Sequence, residues 1–187
     1  MSPSPAETND VLIIYATMHG QAELIARRIG DAASEWGVTA TVQDVRNTSA
    51  VELVPRRSVV LVASVHYGRH PRSISRFVKE NRVRLAERHT AFISVSGDAA
   101  DPSARPRAEQ YANDFFRTTG WTPAASLVIG GAVKFTKYNW FLRYMTKRSF
   151  AAKGIQLDPR RDYDYTDWDA VMRFAKAFLT SEDVKVA

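Results

Sequence analysis

The sequence predicts an α/β protein built on a doubly wound sheet of five parallel strands. Two observations support this fold class. Short apolar runs alternate along the chain with segments in which apolar residues recur at helical spacing. The chain has 187 residues, which suits one domain. Strands that are buried on both faces are continuous apolar runs, and right-handed crossovers through helices join such strands into a parallel sheet.

The elements follow one another in a regular order. The predicted strands cover residues 11–15, 38–45, 59–63, 91–95 and 126–129, and the predicted helices cover 21–36, 71–85, 107–119 and 166–179. Gly37 and Gly120 are placed to end two of the helices. Thr166-Asp-Trp-Asp169 resembles a capping box, with Thr166 at the start of the last helix.

One segment interrupts this order. Residues 131–165 separate the fifth strand from the last helix, whereas connections in such folds have about 2–6 residues. We therefore expect one domain over residues 11–180 that contains an insertion at 131–165, because connections this long are usually functional or disordered. Residues 1–10 are rich in serine, proline and polar groups, and we expect them and residues 181–187 to be tails.

The composition excludes cysteine-based chemistry and a membrane-spanning helix. The chain has no cysteine, which excludes disulfides, thiolate nucleophiles and cysteine-ligated clusters, and we expect no metal site. No apolar run approaches the roughly 18 residues that a membrane-spanning helix needs, and the early run at 11–14 lacks the features of a signal peptide.

The positive charge is concentrated in the insertion. The net charge is +6, and six basic residues without an acidic one lie between 133 and 153: Lys134, Lys137, Arg143, Lys147, Arg148 and Lys153. Without these six, 20 basic and 20 acidic residues remain, so the rest of the chain is formally neutral. A local basic patch predicts an anionic partner.

The same insertion is aromatic. On a helix, Trp140, Phe141, Tyr144 and Met145 share one face, and most of the polar and basic residues lie opposite. This pattern predicts attachment to an anionic membrane surface through Lys134–Lys153. A lid on the domain and a contact in a homo-oligomer remain alternatives. We expect no nucleic-acid partner, because the charge is confined to one insertion and no nucleic-acid module is present.

Three loops carry the candidate binding residues. The first follows strand one and contains Thr17, Met18, His19, Gly20, Gln21 and Ala22. It lies between a strand and a helix, where backbone N–H groups hold phosphate. It lacks both the Gly-Lys-Ser/Thr ending of a Walker A loop and the glycines of a dinucleotide fingerprint. It predicts a phosphate site, although an ordinary strand–helix turn has similar residues.

The other two loops follow strands three and four. They contain Val65, His66, Tyr67, Gly68 and Arg69, and then Ser96, Gly97 and Asp98. In a sheet ordered 2-1-3-4-5, strands one and three flank the point at which the strand order reverses, so their loops meet over one crevice. We therefore expect these residues to line one site, although Ser-Gly-Asp is also common in turns.

On these residues the chain resembles the flavodoxin superfamily. The flavodoxin phosphate loop Thr-x-Thr-Gly-x-Thr is matched by Thr17 and Gly20, while His19 and Ala22 each remove a hydroxyl. Within the superfamily, the chain resembles the menaquinone-dependent protoporphyrinogen IX dehydrogenases. That resemblance rests on the segments 63–68 and 165–168 and on the basic aromatic insertion, which ordinary flavodoxins lack.

The resemblance implies bound FMN and the oxidation of protoporphyrinogen IX to protoporphyrin IX in haem biosynthesis, with a membrane quinone as electron acceptor. It implies a cytoplasmic protein that is peripheral on the inner face of the cytoplasmic membrane. Tyr67 and Gly68 would lie against the flavin, and His66 would serve as an acid–base group. Arg69 or residues of the insertion would pair with the substrate propionates. A flavodoxin-like electron carrier and an NAD(P)H:quinone reductase are the alternatives.

Overall fold

The computed structural model describes residues 10–48, 58–137, 139–151 and 156–181. The strands are β1 (Asp10–Ala16), β2 (Thr39–Asp44), β3 (Ser58–Ser64), β4 (His89–Ser96), β5 (Ala125–Gly130), β6 (Ala132–Lys134) and β7 (Asp162–Asp164). The α-helices are α1 (Gln21–Ala33), α2 (Arg72–Glu80), α3 (Arg82–Ala86), α4 (Arg105–Thr119), α5 (Trp140–Ala151) and α6 (Trp168–Thr180). Of the expected tails, residues 1–9 and 182–187 lie outside the described residues, and Asp10 begins β1.

The main sheet has the predicted topology. Its order is β2-β1-β3-β4-β5, and all neighbouring strands are parallel. All seven residues of β3 are buried, and β1 and β4 are buried except at their first residue. One core lies against α1 and α6 and the other against α2 and α4. Helices thus cover both faces, which is why the central strands are continuous apolar runs.

Glycine ends two helical segments as predicted, but the helix expected over 71–85 is broken. Gly37 and Gly120 adopt left-handed conformations with φ 73° and 68°. Asn81 has φ −110° and ψ 13°, between the end of α2 and the start of α3. Its side-chain amide donates to the Phe77 carbonyl at 2.9 Å. Asparagine favours such local side-chain bonds over continued helix, so one helical pattern gives two helices.

The predicted cap of the last helix is wrong by one residue. Asp167, not Thr166, is the N-cap of α6, and its carboxylate accepts from the Ala170 N–H at 2.9 Å. The buried hydroxyl of Thr166 instead donates to the Gly130 carbonyl at 3.1 Å. A long-range contact therefore uses the hydroxyl that the sequence pattern assigned to the cap.

The insertion contains a second sheet that the sequence did not predict. β6 and β7 pair antiparallel, with Lys134 opposite Asp162. Val133, Phe135 and Leu157 form a small buried cluster beneath this pair. The chain then returns to the main sheet, where the Tyr165 N–H donates to the Gly131 carbonyl at 3.1 Å. The insertion therefore lies against the carboxyl end of β5.

Candidate functional site

The three predicted loops meet in one crevice at the carboxyl edge of the sheet. A cavity of about 120 Å³ lies there. Its lining from the three loops and the strand ends before them is Thr17, His19, Gln21, Ser64, Val65, His66, Val95, Ser96 and Gly97, and the insertion adds Gly131, Ala132 and Val133. The strand order explains the convergence of the loops. Nothing in the sequence pattern indicated the contribution of the insertion.

The first loop folds as a compact turn at the start of α1. Gly20 has φ 88°, a left-handed conformation that favours glycine. Its N–H donates to the Thr17 hydroxyl oxygen at 2.8 Å. The first helical bond of α1 runs from Leu24 N–H to the Gly20 carbonyl, and no side chain among the described residues caps the helix. The amides of residues 21–23 precede that bond and have no partner within the helix, which suits an anion.

Other residues of this loop have different surroundings. Met18 is exposed, whereas Ala22 is fully buried in the core beside the sheet. Gln21 is buried and ties the loop to the insertion: its side-chain amide donates to the Asp164 carboxylate at 3.1 Å and to the Thr166 hydroxyl at 2.8 Å. Its side-chain oxygen is buried and has no hydrogen-bond partner among the described residues.

Two lysines of the insertion reach the same loop. The position that a Cβ atom would take on Gly20 lies 3.3 Å from Lys137 Nζ and 3.9 Å from Lys134 Nζ. The pKa of His19 is lowered, mainly by burial and then by the charges of Lys137 and Lys134. The composition of the insertion predicts that both lysines belong to a membrane-binding patch. The alternation Val133-Lys134-Phe135, with buried residues on either side of the lysine, is a sequence signal for their different position.

The second loop forms a tight turn. His66 and Arg69 exchange two backbone hydrogen bonds at 2.9 Å and 3.1 Å, and Tyr67 and Gly68 between them have φ 51° and 75°. Positive φ at both central residues is typical of a type I′ turn. A left-handed tyrosine is uncommon and often marks a functional position. Its side chain is 89% exposed.

His66 carries no charge at neutral pH. Its Nε2 atom lies 3.1 Å from the Ser64 hydroxyl, and its ring meets the His19 ring edge-on at 5.1 Å. Burial, and then the proximity of His19, lowers the pKa of His66 to about 4.

Arg69 does not line the crevice. With Gly68, it borders a second cavity of about 420 Å³ beside α2 and α4, whose lining also includes Arg72 and Lys79. The second loop therefore has one side in the crevice, through His66, and the other side in this basic cavity.

The third loop is anchored by its own side chains. The Ser96 hydroxyl accepts from the Ala99 N–H at 3.2 Å, and the Ser96 carbonyl accepts from the Gly131 N–H at 3.0 Å. The Asp98 carboxylate accepts from the Tyr111 hydroxyl at 2.8 Å and does not line the crevice cavity. Of the predicted cofactor-binding residues, Met18, Gly20, Ala22, Tyr67, Gly68 and Asp98 lie outside the cavity lining and the others within it.

Three loops meet over the carboxyl ends of a doubly wound sheet, and the first leads into a helix whose initial amides have no partner within the helix. This arrangement is typical of a flavin-type nucleotide-binding protein. The chain belongs to the flavodoxin domain family, which matches residues 12–158. It is 33% identical over 174 residues to protoporphyrinogen IX dehydrogenase [quinone] of Escherichia coli (strain K12), covering 91% of this chain and 96% of that protein. The protein of the same name from Leishmania major is 29% identical over 169 residues, and the alignment covers 89% of this chain and 73% of that protein.

A solved structure shows the same fold. A short-chain flavodoxin associated with a non-canonical PDU bacterial microcompartment matches with a TM-score of 0.57 and 17% identity, over 91% of this chain and 96% of that one. These findings confirm the predicted fold and the resemblance stated from the sequence. They also confirm the prediction that the cofactor of this protein is FMN. Among the described residues, no helix has the length and apolar character needed to cross a membrane.

The residues that line the crevice and those that border it fit FMN. The uncapped start of α1 and the left-handed Gly20 suit its phosphate. The buried, unpartnered side-chain oxygen of Gln21 would accept a hydrogen bond from a ribityl hydroxyl. The exposed ring of Tyr67 is available to stack on an aromatic system.

Proposed function

We propose that this protein oxidises protoporphyrinogen IX to protoporphyrin IX, with FMN as its redox cofactor and a membrane quinone as electron acceptor. The observation that carries the proposal is the extent of the similarity to the dehydrogenase of E. coli. The alignment covers 91% of the chain, so the remaining 9% of 187 residues is about 17 residues. The similarity therefore extends into the insertion of 131–165, which is about twice that long.

FMN supplies the electron-transfer chemistry, and the protein supplies binding and orientation. The first loop and the amides of residues 21–23 would hold the phosphate. Tyr67 and Gly68 would lie against the isoalloxazine, because they form the tip of the turn after β3 and the tyrosine ring is exposed there. Ser96 and Gly97 line the opposite side of the same crevice.

The substrate is dianionic, and the basic cavity suits its propionates. Arg69, Arg72 and Lys79 line that cavity, next to the turn that carries Tyr67. Guanidinium groups bind carboxylates through paired hydrogen bonds. We assign Arg69 to a propionate, because it is the basic residue on the turn itself.

His66 is our candidate for the group that accepts a substrate proton. It lines the crevice, and a pKa of about 4 keeps its ring neutral at neutral pH, with a nitrogen able to accept. Activity that depends on neutral His66 stays level from about pH 8 to 5 and falls at lower pH. A kcat/KM profile in that range tests this role, and a fall centred near the ordinary histidine pKa would contradict it.

The helix α5 attaches the protein to the membrane that holds the quinone. Trp140 is 80% exposed, and Phe141, Tyr144 and Met145 are also exposed on this helix. Lys147 and Arg148 are exposed beside them. Each basic residue near an anionic surface contributes about 1 kcal/mol to binding, and aromatic rings favour the headgroup region. The attachment is peripheral, on the cytoplasmic face.

An anaerobic assay tests the function. The FMN-loaded protein is mixed with protoporphyrinogen IX and a quinone in vesicles, and protoporphyrin fluorescence is followed; we expect turnover that requires the quinone. Arg69→Gln raises KM about tenfold or more, because a charge-assisted pair is lost, whereas Arg84→Gln at an exposed site on α3 leaves KM unchanged. Flavin reduction by NADH or NADPH, with no response to protoporphyrinogen, would instead make the protein a quinone reductase.

A further inference from the structure

Two ammonium groups converge on the phosphate loop. Lys137 Nζ and Lys134 Nζ lie 3.3 Å and 3.9 Å from the point where a Gly20 side chain would begin. That point is at the N-cap of α1, the end of the helix that carries positive partial charge. Three positive groups at one place repel one another, and the charge of Lys137 contributes to the lowered pKa of Lys134 after burial. A bound anion removes this repulsion.

The neighbouring carboxylates are engaged elsewhere. Asp162 accepts from the backbone N–H and the hydroxyl of Thr136 at 2.9 Å and 2.8 Å. Asp164 accepts from Gln21, from the Thr166 N–H and from the indole N–H of Trp168. They attract Lys134 from a distance, but in the described part of the chain no salt bridge involves either lysine.

The insertion holds the two lysines in place. Lys134 lies on β6 between the buried residues Val133 and Phe135. Lys137 ends the 3-10 turn that follows β6. The two hydrogen bonds from Thr136 to Asp162 fix that turn, and the contacts of Gln21 join β7 to the start of α1. The same hairpin therefore carries both ammonium groups and is tied to the loop that they face.

We propose that Lys134 and Lys137 bind the phosphate of FMN directly, in place of the hydroxyls that the loop lacks at His19 and Ala22. The inference rests on the FMN binding in the proposed function and is independent of the substrate. It gives the docked part of the insertion a role in cofactor recognition. It also separates these two lysines from the basic residues of α5.

Flavin titration of the apoprotein tests this assignment, with riboflavin as the matched ligand that lacks the phosphate. Fluorescence quenching gives the Kd of each flavin for the wild type, Lys134→Gln, Lys137→Gln and the double variant. We expect FMN affinity to fall about 10-fold for each substitution and about 100-fold for both, the usual size for charged hydrogen bonds. Riboflavin affinity stays within about twofold of the wild type, and the salt dependence of FMN binding becomes weaker.

The control is Lys147→Gln with Arg148→Gln, which removes two exposed charges of α5 and leaves FMN affinity unchanged. Unchanged FMN affinity in the double lysine variant would overturn the proposal. An equal loss of FMN and riboflavin affinity would also overturn it, because it would give the lysines a structural role. If the wild type binds FMN and the variants behave as expected, the assignment holds even where the anaerobic assay finds no porphyrinogen oxidation.

Discussion

The two halves of the insertion have similar compositions and different neighbours. The docked half consists of residues 132–137 and 162–165, and the exposed half is α5. In the docked half, Val133 and Phe135 are buried and Lys134 and Lys137 face the phosphate loop. In the exposed half, Trp140 and Phe141 are 80% and 55% exposed. Basic and aromatic composition therefore does not define one surface, because alternation in a strand and periodicity in a helix distribute the same residue types differently.

Arg143 marks the boundary between the halves. Its guanidinium Nε donates to the Phe135 carbonyl at 2.8 Å, so this basic residue of α5 contacts the docked half. Arg148 lies near the Tyr144 hydroxyl at 3.5 Å on the exposed side. Lys153, the last basic residue of the predicted patch, lies outside the described residues. The predicted patch thus separates into a part near Gly20 and a part on α5.

The largest expected loss of stability comes from a substitution that separates the docked half of the insertion from the main sheet. A Cβ atom on Gly130 would lie 2.5 Å from the Tyr165 carbonyl oxygen, which is backbone and cannot move alone. We expect Gly130→Ala to lower the free energy of unfolding by about 2–3 kcal/mol. Urea denaturation measures the change. Gly97→Ala is the control, since its Cβ position has no atom of the described residues within 4 Å apart from its chain neighbours. An equal loss in both variants would contradict this explanation.

Removal of the Thr166 hydroxyl should lower the stability of the protein by a smaller amount. Thr166→Val removes the donor to the Gly130 carbonyl and the acceptor for the Gln21 amide, and keeps the shape of the side chain. The expected loss is about 1–2 kcal/mol in the free energy of unfolding, because buried polar groups remain without a partner. Thr180→Val provides the comparison, because that hydroxyl donates to the Lys176 carbonyl of its own helix at an exposed site. The prediction fails if the two variants unfold at the same urea concentration.

The pKa of His19 should respond to the charges of the docked half of the insertion and not to those of the exposed half. Burial lowers this pKa first, and Lys137 and Lys134 lower it further. Lys137→Gln should therefore raise the pKa of His19, whereas Lys147→Gln on α5 should leave it unchanged; NMR titration of the ring protons of the apoprotein measures both. The folded-state pKa lies below that of the unfolded chain, so protonation favours unfolding and stability is lost as pH falls. That loss becomes smaller in Lys137→Gln.

The exposed half should tolerate change with the smallest effect on folding. Trp140→Ser with Phe141→Ser alters exposed side chains, so we expect a change within about 0.5 kcal/mol in the free energy of unfolding. Binding to anionic vesicles should weaken at least tenfold in co-sedimentation at low salt. Val83→Ser, which is 67% exposed on α3, is the control and should bind as the wild type does. Vesicle binding that survives in the double variant would place the membrane contact elsewhere.

Local signals predicted most of the main domain. Continuous apolar runs indicated the central strands, and Gly37 and Gly120 indicated two helix ends. The order of the strands brought the loops after β1, β3 and β4 to one crevice, so seven predicted cofactor-binding residues line it. These features follow from burial periodicity and from the geometry of parallel crossovers, which depend on residues close together in sequence.

The sheet, its strand order, the crevice and the family could all be predicted from the order of apolar runs and loop motifs along the chain. The side chains from outside the three loops that enter the crevice could not, because they depend on how the insertion folds back onto the sheet. Gln21 meets Asp164 across 143 positions of the chain, and Thr166 meets Gly130 rather than capping its helix. Lys134 and Lys137 lie at Gly20 only because β6 pairs with β7 beside β5. Such contacts depend on the closure of long loops, and the polar groups that make them have no periodicity by which the sequence could reveal their partners.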